Sequence, residues 1–178
     1  SPPSEAAIRQ ASQGSCGLIV ATANAVGTDS WVARLVPTSR YTTTAQQSQF
    51  FAQVVEQLRA QPGVTDAAVA IGLPVSGFNP RSPYSVGGRP ILPLPQRPIA
   101  NLGIVSEGYF RLMRITLAAG RAFTADDRES APGVCIINES FARRLFPGES
   151  PLGHTLLRGR DAEITAEIVG VIHDVKTN

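Results

Sequence analysis

The chain has 178 residues and is 43% apolar, enough to bury one ordinary core or two small ones and too much for a disordered polymer. Charged residues make up 17%, below the roughly 25% of average soluble domains, and the net charge of +2 gives no argument for a nucleic-acid or membrane surface. No run of about 18 apolar residues reads as a membrane span, and Ser1-Pro-Pro-Ser4 opens no signal-peptide pattern.

Residues 1–30 are the least legible, although Leu18–Ala23 can form a short strand. Trp31–Val36 alternates like a strand and stops at Pro37. A helix follows: Thr42, Thr43 and Thr44 offer N-caps with Gln46 or Gln47 three residues on. Phe50, Val54 and Leu58, flanked by Phe51 and Val55, form its apolar stripe, and Gln61-Pro62-Gly63 ends it. Val64–Ile71 is an uninterrupted apolar run, the pattern of a strand buried on both faces. Residues 31–72 therefore read as strand–helix–strand, with a right-handed crossover expected if the strands are parallel and adjacent.

Residues 73–100 carry seven prolines (Pro74, Pro80, Pro83, Pro90, Pro93, Pro95, Pro98) and read as a long loop with one edge strand near Tyr84–Val86. Then come a strand at Leu102–Val105, a short helix at Glu107–Met113 and a return segment at Ile115–Leu117. Thr124-Ala-Asp-Asp127 is a polar turn. Gly133–Ile137 is a strand, and Asn138 is suited to cap a helix over Glu139–Phe146. His154–Leu157 and Ile164–Val175 complete the strands, the last with Ile164, Ala166, Ile168, Gly170 and Ile172 on one face.

Sequence signatures of chemistry are missing. No phosphate-binding glycine loop, Gly-x-Ser-x-Gly elbow, His-Glu-x-x-His or paired Cys-x-x-Cys occurs, so no catalytic residue, cofactor or metal ligand is assigned. His154 and His173 lie apart on strands. Asp126, Asp127 and Glu129 lack the spacing of a calcium loop and read as a solvated turn. Arg143, Arg144, Arg158 and Arg160 have no interleaved aromatics and read as a charged face, so no nucleic-acid partner is expected. Phe50, Phe51, Phe110, Phe141 and Phe146 read as core. Cys135 reads as a small core residue, and whether it pairs with Cys16 stays open. Phe78, Tyr84, Ile91, Leu92 and Leu94 differ: they sit in the proline-rich segment, with little regular structure to cover them. They are the candidates for a partner surface, against the alternative that they fold back onto the core.

One set of ordered motifs goes further. Val105-Ser-Glu-Gly-Tyr-Phe110 is followed by Ala119-Gly-Arg-Ala-Phe123, the run from Val134 through Asn138 to Pro147-Gly148, Ser150-Pro-Leu-Gly153, and Glu167-Ile-Val-Gly-Val-Ile-His-Asp-Val175. Together with Pro37–Tyr41, Pro62-Gly-Val64 and Leu73–Gly77, they resemble the extracytoplasmic core domain of MacB/FtsX-type ABC transporter permeases, in the duplicated-orphan-permease subgroup. The resemblance covers roughly residues 31–175; residues 1–30 match poorly.

It implies an α+β fold: a porter-like strand–helix–strand lobe from 31–72 plus 166–178, and an inserted, mainly β, Sabre-like lobe from 73–165. The second α/β half of the family domain is expected to be absent. It also implies a domain without enzymatic activity that lies outside the inner membrane and passes ATPase-driven motion to substrate or partner proteins. Implied partners are membrane helices of the same polypeptide, a cytoplasmic ATPase subunit or domain, a periplasmic protein, and a second copy in a homodimer. The competing readings are a free-standing periplasmic ligand-binding module, which needs a deep apolar pocket, and a small α/β enzyme, which needs convergent titratable groups.

Overall fold

The computed structural model describes residues 17–23, 30–35, 44–71, 81–127 and 131–174. The chain divides into two compact units, one from residues 1–78 and 103–113, the other from 79–102 and 114–178. Each unit contains both helix and strand.

The first unit holds a four-stranded sheet in the order β2-β1-β3-β6. Its strands are β1 (Gly17–Ala23), β2 (Ser30–Leu35), β3 (Val64–Ile71) and β6 (Ile104–Val105). Both β2 and β3 run antiparallel to β1. They are therefore parallel to each other but separated by β1, so the helix that joins them, α1 (Thr44–Arg59), belongs to a split strand–helix–strand unit rather than one of adjacent strands. The side chains of α1 that face β3 are Val55 and, around it, Phe51, Val54 and Leu58, the i, i+3, i+4, i+7 set of one helix face. Phe51 rather than Phe50 heads the stripe. Thr42 and Thr43, proposed as caps, lie outside the described residues.

Successive residues Ala67, Ala68, Val69 and Ala70 of β3 are all buried. Side chains alternate along a strand, so both faces of β3 are covered, as its unbroken apolar sequence predicts. Two basic side chains then pin the start of β3. Asp66 accepts from Arg59 Nε at 3.0 Å and from Arg111 Nη2 at 2.7 Å, and Arg59 also reaches the Ala67 carbonyl. Arg111 lies on α2 (Tyr109–Leu112), so the same carboxylate ties that short helix to the sheet.

The second unit holds a six-stranded sheet: β4 (Arg81–Val86), β5 (Ile99–Asn101), β7 (Leu117–Gly120), β8 (Val134–Asn138), β9 (Thr155–Arg158) and β10 (Ile164–Ile172). The order runs β5-β4-β9-β10-β7, with β8 also on β10. Glu167 pairs with Thr155 of β9 and Val134 of β8, and Gly170 with Gly120 of β7 and Ile136 of β8. Thus β8 lies parallel along one edge of β10, while β9 and then β7 share the other, both antiparallel. The helix α3 (Glu139–Leu145) packs against this sheet. Tyr84, Val86, Ile137, Leu145, Phe146, Ile168 and Val171 form the core.

Three expectations are corrected. First, β10, the described part of the segment expected to return to the first unit, does not do so. Both edges of β10 are occupied within the second, because its apolar centre has partners there on each side. The segment that does return is 103–113, through β6 pairing with β3 and Ser106 bridging to Val69. Second, the proline-rich stretch is not all loop. β4 and β5 pair antiparallel, and β4 is an internal strand rather than an edge. Pro83 is tolerated because the ladder with β9 begins only at Tyr84. Third, the alternation of β10 breaks. Val169 has no partner in β8, a bulge that shifts the phase so that Val171 points inward with Ile168.

Candidate interaction surface

Among the described residues, several of those in the sequence motifs hold the fold. Ser106 Oγ accepts from the Val69 amide at 2.9 Å, and the Ser106 amide donates to the Val69 carbonyl at 2.8 Å. Gly120 and Gly170 mark a point where two backbones nearly touch. A Cβ on Gly120 would overlap the Val169 carbonyl oxygen and sit 2.9 Å from Gly170 Cα; one on Gly170 would overlap the Arg121 carbonyl oxygen. Gly120 also has φ +74°, which side-chain-bearing residues rarely adopt. Asn138 caps α3, its Oδ1 accepting from the Phe141 amide at 3.3 Å.

Titratable groups are likewise spent on structure. Asp174 accepts from Asn138 Nδ2 at 2.7 Å, the Ser140 amide at 3.0 Å, the Ser140 hydroxyl, and Arg143 at 3.0 Å. The Ser140 hydroxyl bond leads the donors that hold its pKa below the ordinary carboxylate range. Asp127 makes a bidentate pair with Arg121 at 2.7 and 2.8 Å and accepts from the Thr124 amide. Its pKa falls from the ordinary 3.8 to about 2, chiefly through Arg121. Burial works to raise the pKa of Asp66, but hydrogen bonds from Arg111 and the Ala67 amide, with the charge of Arg59, bring it down overall. Burial pushes the Cys135 thiol up to about 11, so it is no nucleophile at neutral pH. That thiol is free, and Cys16 lies outside the described residues. His154 stacks against Phe146, and His173 Nδ1 lies 3.1 Å from Glu139. Among the described residues no three His, Cys, Asp or Glu side chains gather as metal ligands.

What remains available is a surface. Residues 87–98 connect β4 to β5, and their backbone is clamped. Arg97 donates from Nε to the Leu92 carbonyl at 2.8 Å, and from Nη1 to the carbonyls of Gly159 at 3.1 Å and Arg160 at 3.0 Å. Arg89 reaches the Leu145 carbonyl at 2.9 Å with its guanidinium over the Phe146 ring. A short 3-10 turn at Leu94–Gln96 and four prolines restrict the rest. On this fixed frame Ile91 is 51% exposed, Leu92 44%, Leu94 38% and Ile99 53%.

Of the five residues proposed from sequence, Ile91, Leu92 and Leu94 lie together here. Tyr84 does not. It is 6% exposed, packs edge-on to Phe141 at 5.0 Å and belongs to the core, because its place in β4 puts it on the inward face. Phe78 lies outside the described residues. Ile99 was missed; only its pairing in β5 shows that it shares this region.

A family model described as the MacB-like periplasmic core domain matches residues 14–178. The chain belongs to this family. The macrolide export ATP-binding/permease protein MacB of Aggregatibacter actinomycetemcomitans is 32% identical over 75 residues, 42% of this chain and 11% of that protein. The protein of the same name from Sodalis glossinidius is 46% identical over 55 residues, 30% of this chain and 8% of that one. The chain thus spans about a tenth of the length of these relatives.

Among solved structures, the periplasmic region of MacB from Actinobacillus actinomycetemcomitans aligns with a TM-score of 0.51 and 20% identity, over 94% of this chain and 64% of that one. The extracellular domain of the noncanonic ABC-type transporter YknZ from Gram-positive bacteria gives 0.51 at 22% identity, over 70% and 58%. These likenesses support the mixed α+β fold. As a MacB-like periplasmic core domain, the chain is a component of an ABC-transporter permease that works outside the cytoplasm. Among the described residues no helix is long and apolar enough to cross a membrane.

Proposed function

We propose that this MacB-like periplasmic core domain is a passive transmission element. ATP-driven movement of membrane helices in the same polypeptide, anchored in the inner membrane, reaches it from below, and its folded surface passes that movement to a substrate or periplasmic partner. ATP hydrolysis belongs to a cytoplasmic ATPase domain or subunit, and the permease acts as a homodimer. The match of residues 14–178 to the family carries the reading.

The bonding pattern supports it. The carboxylates of Asp66, Asp127 and Asp174 each bind basic groups and backbone amides of their own unit. Such bonds stiffen a body and occupy these three acids in structure. A stiff body transmits displacement; a soft one absorbs it.

The test uses the full-length permease reconstituted with its ATPase in proteoliposomes. Coupled transport or partner activation is measured beside ATP turnover, with a variant that softens the second unit, Ile168→Ala. Transmission predicts that coupling falls while basal ATP turnover persists. Unchanged coupling, or a coding sequence with no membrane helices beside this segment, overturns the reading.

A further inference from the structure

The β4–β5 ribbon and its connecting loop combine three properties seldom found together on a free surface. Its aliphatic side chains Ile91, Leu92, Leu94 and Ile99 stand out in solvent. Its own sequence is one-sided in charge: no Asp or Glu occurs between Asp66 and Glu107, while Arg81, Arg89 and Arg97 do. Among the described residues none of these three arginines has a carboxylate partner; Arg89 and Arg97 donate only to neutral carbonyls, which leaves their positive charge in place. Finally, β5 ends its sheet among the described residues, so one edge of Ile99–Asn101 faces no described strand.

The register places Arg81 and Ile99 together. Ile99 lies opposite Pro83, and Asn101 opposite Arg81. Directly opposed residues share a face, and residues two apart on a strand do as well. Arg81 and Ile99 therefore lie on one face of the ribbon, opposite the face that carries buried Tyr84. The clamp by Arg97 and the prolines fixes the loop before anything binds. A prepaid conformation favours a partner of defined shape, because little ordering entropy is lost on contact. It offers no comparable advantage toward a fluid lipid surface, which long flexible basic side chains meet by snorkelling.

We infer that this ribbon is a docking site for an extended, acidic and aliphatic segment of another protein, which lies along the open edge of β5 with its apolar side chains against Ile91, Leu92, Leu94 and Ile99 and its carboxylates toward Arg81 and Arg97. Main-chain bonds to an edge strand supply affinity, and alternate side chains supply selection. Charge complementarity sets the sign of the partner and makes binding salt-sensitive. This names the kind of partner for the transmission element proposed above and rests on that reading.

The test is NMR titration of the chain, labelled at backbone amides and at Ile and Leu methyls, with a synthetic peptide of alternating glutamate and valine. Shifts are expected at the 99–101 amides and the methyls of Ile91, Leu92 and Leu94. Affinity should drop on adding salt and fall about tenfold in Arg81→Glu and in Ile99→Ala. Both side chains are exposed, so unchanged spectra elsewhere will show that the variants fold.

Equal binding of a lysine–valine peptide overturns the inference. So does preference for phosphatidylglycerol vesicles over the peptide, or concentration-dependent self-association through the same residues, or shifts spread across the whole sheet. Lost peptide binding with coupling intact in the full-length permease strikes this surface alone. Intact binding with coupling unaffected by Ile168→Ala strikes the transmission reading alone.

Discussion

Two short aliphatic segments of the second unit meet opposite fates. Ile168-Val-Gly-Val-Ile172 of β10 lies at the centre of a core; Ile91-Leu-Pro-Leu94 lies outside it. Hydropathy does not separate them. Backbone pairing does. β10 has partners on both edges, so its amides and carbonyls can be buried with their hydrogen bonds made. Prolines at 90, 93, 95 and 98 remove the donors that a ladder needs, so the loop cannot enter a sheet, and its side chains stay where its backbone stays. Apolar residues become core only where their main chain can be satisfied as well.

The largest effect expected from this contrast is at Ile168, which is fully buried. Ile168→Ala removes a core side chain flanked by strands on both sides and should destabilise the second unit by about 2–5 kcal/mol. Urea unfolding followed by circular dichroism measures it. A loss under about 1 kcal/mol would mean that β10 is not the centre of this core.

Gly120→Ala comes next. The added methyl meets the Val169 carbonyl, Gly170 Cα and Leu152 Cδ2 at 2.8 Å, at a φ of +74°. Overpacking and backbone strain together should cost about 3 kcal/mol, read as a lowered thermal midpoint. Asn138→Ala, which removes the cap from the Phe141 amide, should cost about 1 kcal/mol in the same assay.

Asp127 offers a smaller, pH-dependent effect. Its folded pKa, about 2, lies below the ordinary 3.8 because Arg121 binds the ionised form. The stability it contributes is therefore fully present above about pH 4 and drains as pH falls through about 2. Arg121 is half exposed, so solvent screens the pair and the amount is smaller than the cap effect. Asp127→Asn should lower the thermal midpoint slightly at pH 6 and approach the parent as pH falls to 2 and below. A gap that widens toward low pH would contradict the assignment.

The sequence was legible where the signal is local. The Phe51–Leu58 face, the apolar run of β3 and the Asn138 cap each depend on residues within a few positions. Signals failed where the partner strand is distant. Nothing in Ile164–Ile172 says that it pairs with β8 and β9 rather than β3, and nothing near Tyr84–Val86 says that the strand expected there begins at Arg81 and is paired on both sides. The candidate surface divides the same way. Ile91, Leu92 and Leu94 followed from proline content, whereas Tyr84 was misjudged and Ile99 missed because strand pairing decides which side each faces.

The smallest expected change sharpens the comparison most. Ile91 and Leu92 are aliphatic like Ile168, yet truncating them together to Ala should alter stability by no more than about 0.5 kcal/mol, since they touch water already. Their backbone is held by Arg97 and by the turn at Leu94–Gln96, neither of which needs those side chains. Urea midpoints of Ile91→Ala/Leu92→Ala and Ile168→Ala, measured side by side, test this. A loss in the double variant comparable to that of Ile168→Ala would place the loop aliphatics in the core, and the docking surface would vanish with that result. A negligible loss leaves two exposed aliphatic side chains that stability does not require, held on a rigid frame, as the proposed docking surface needs.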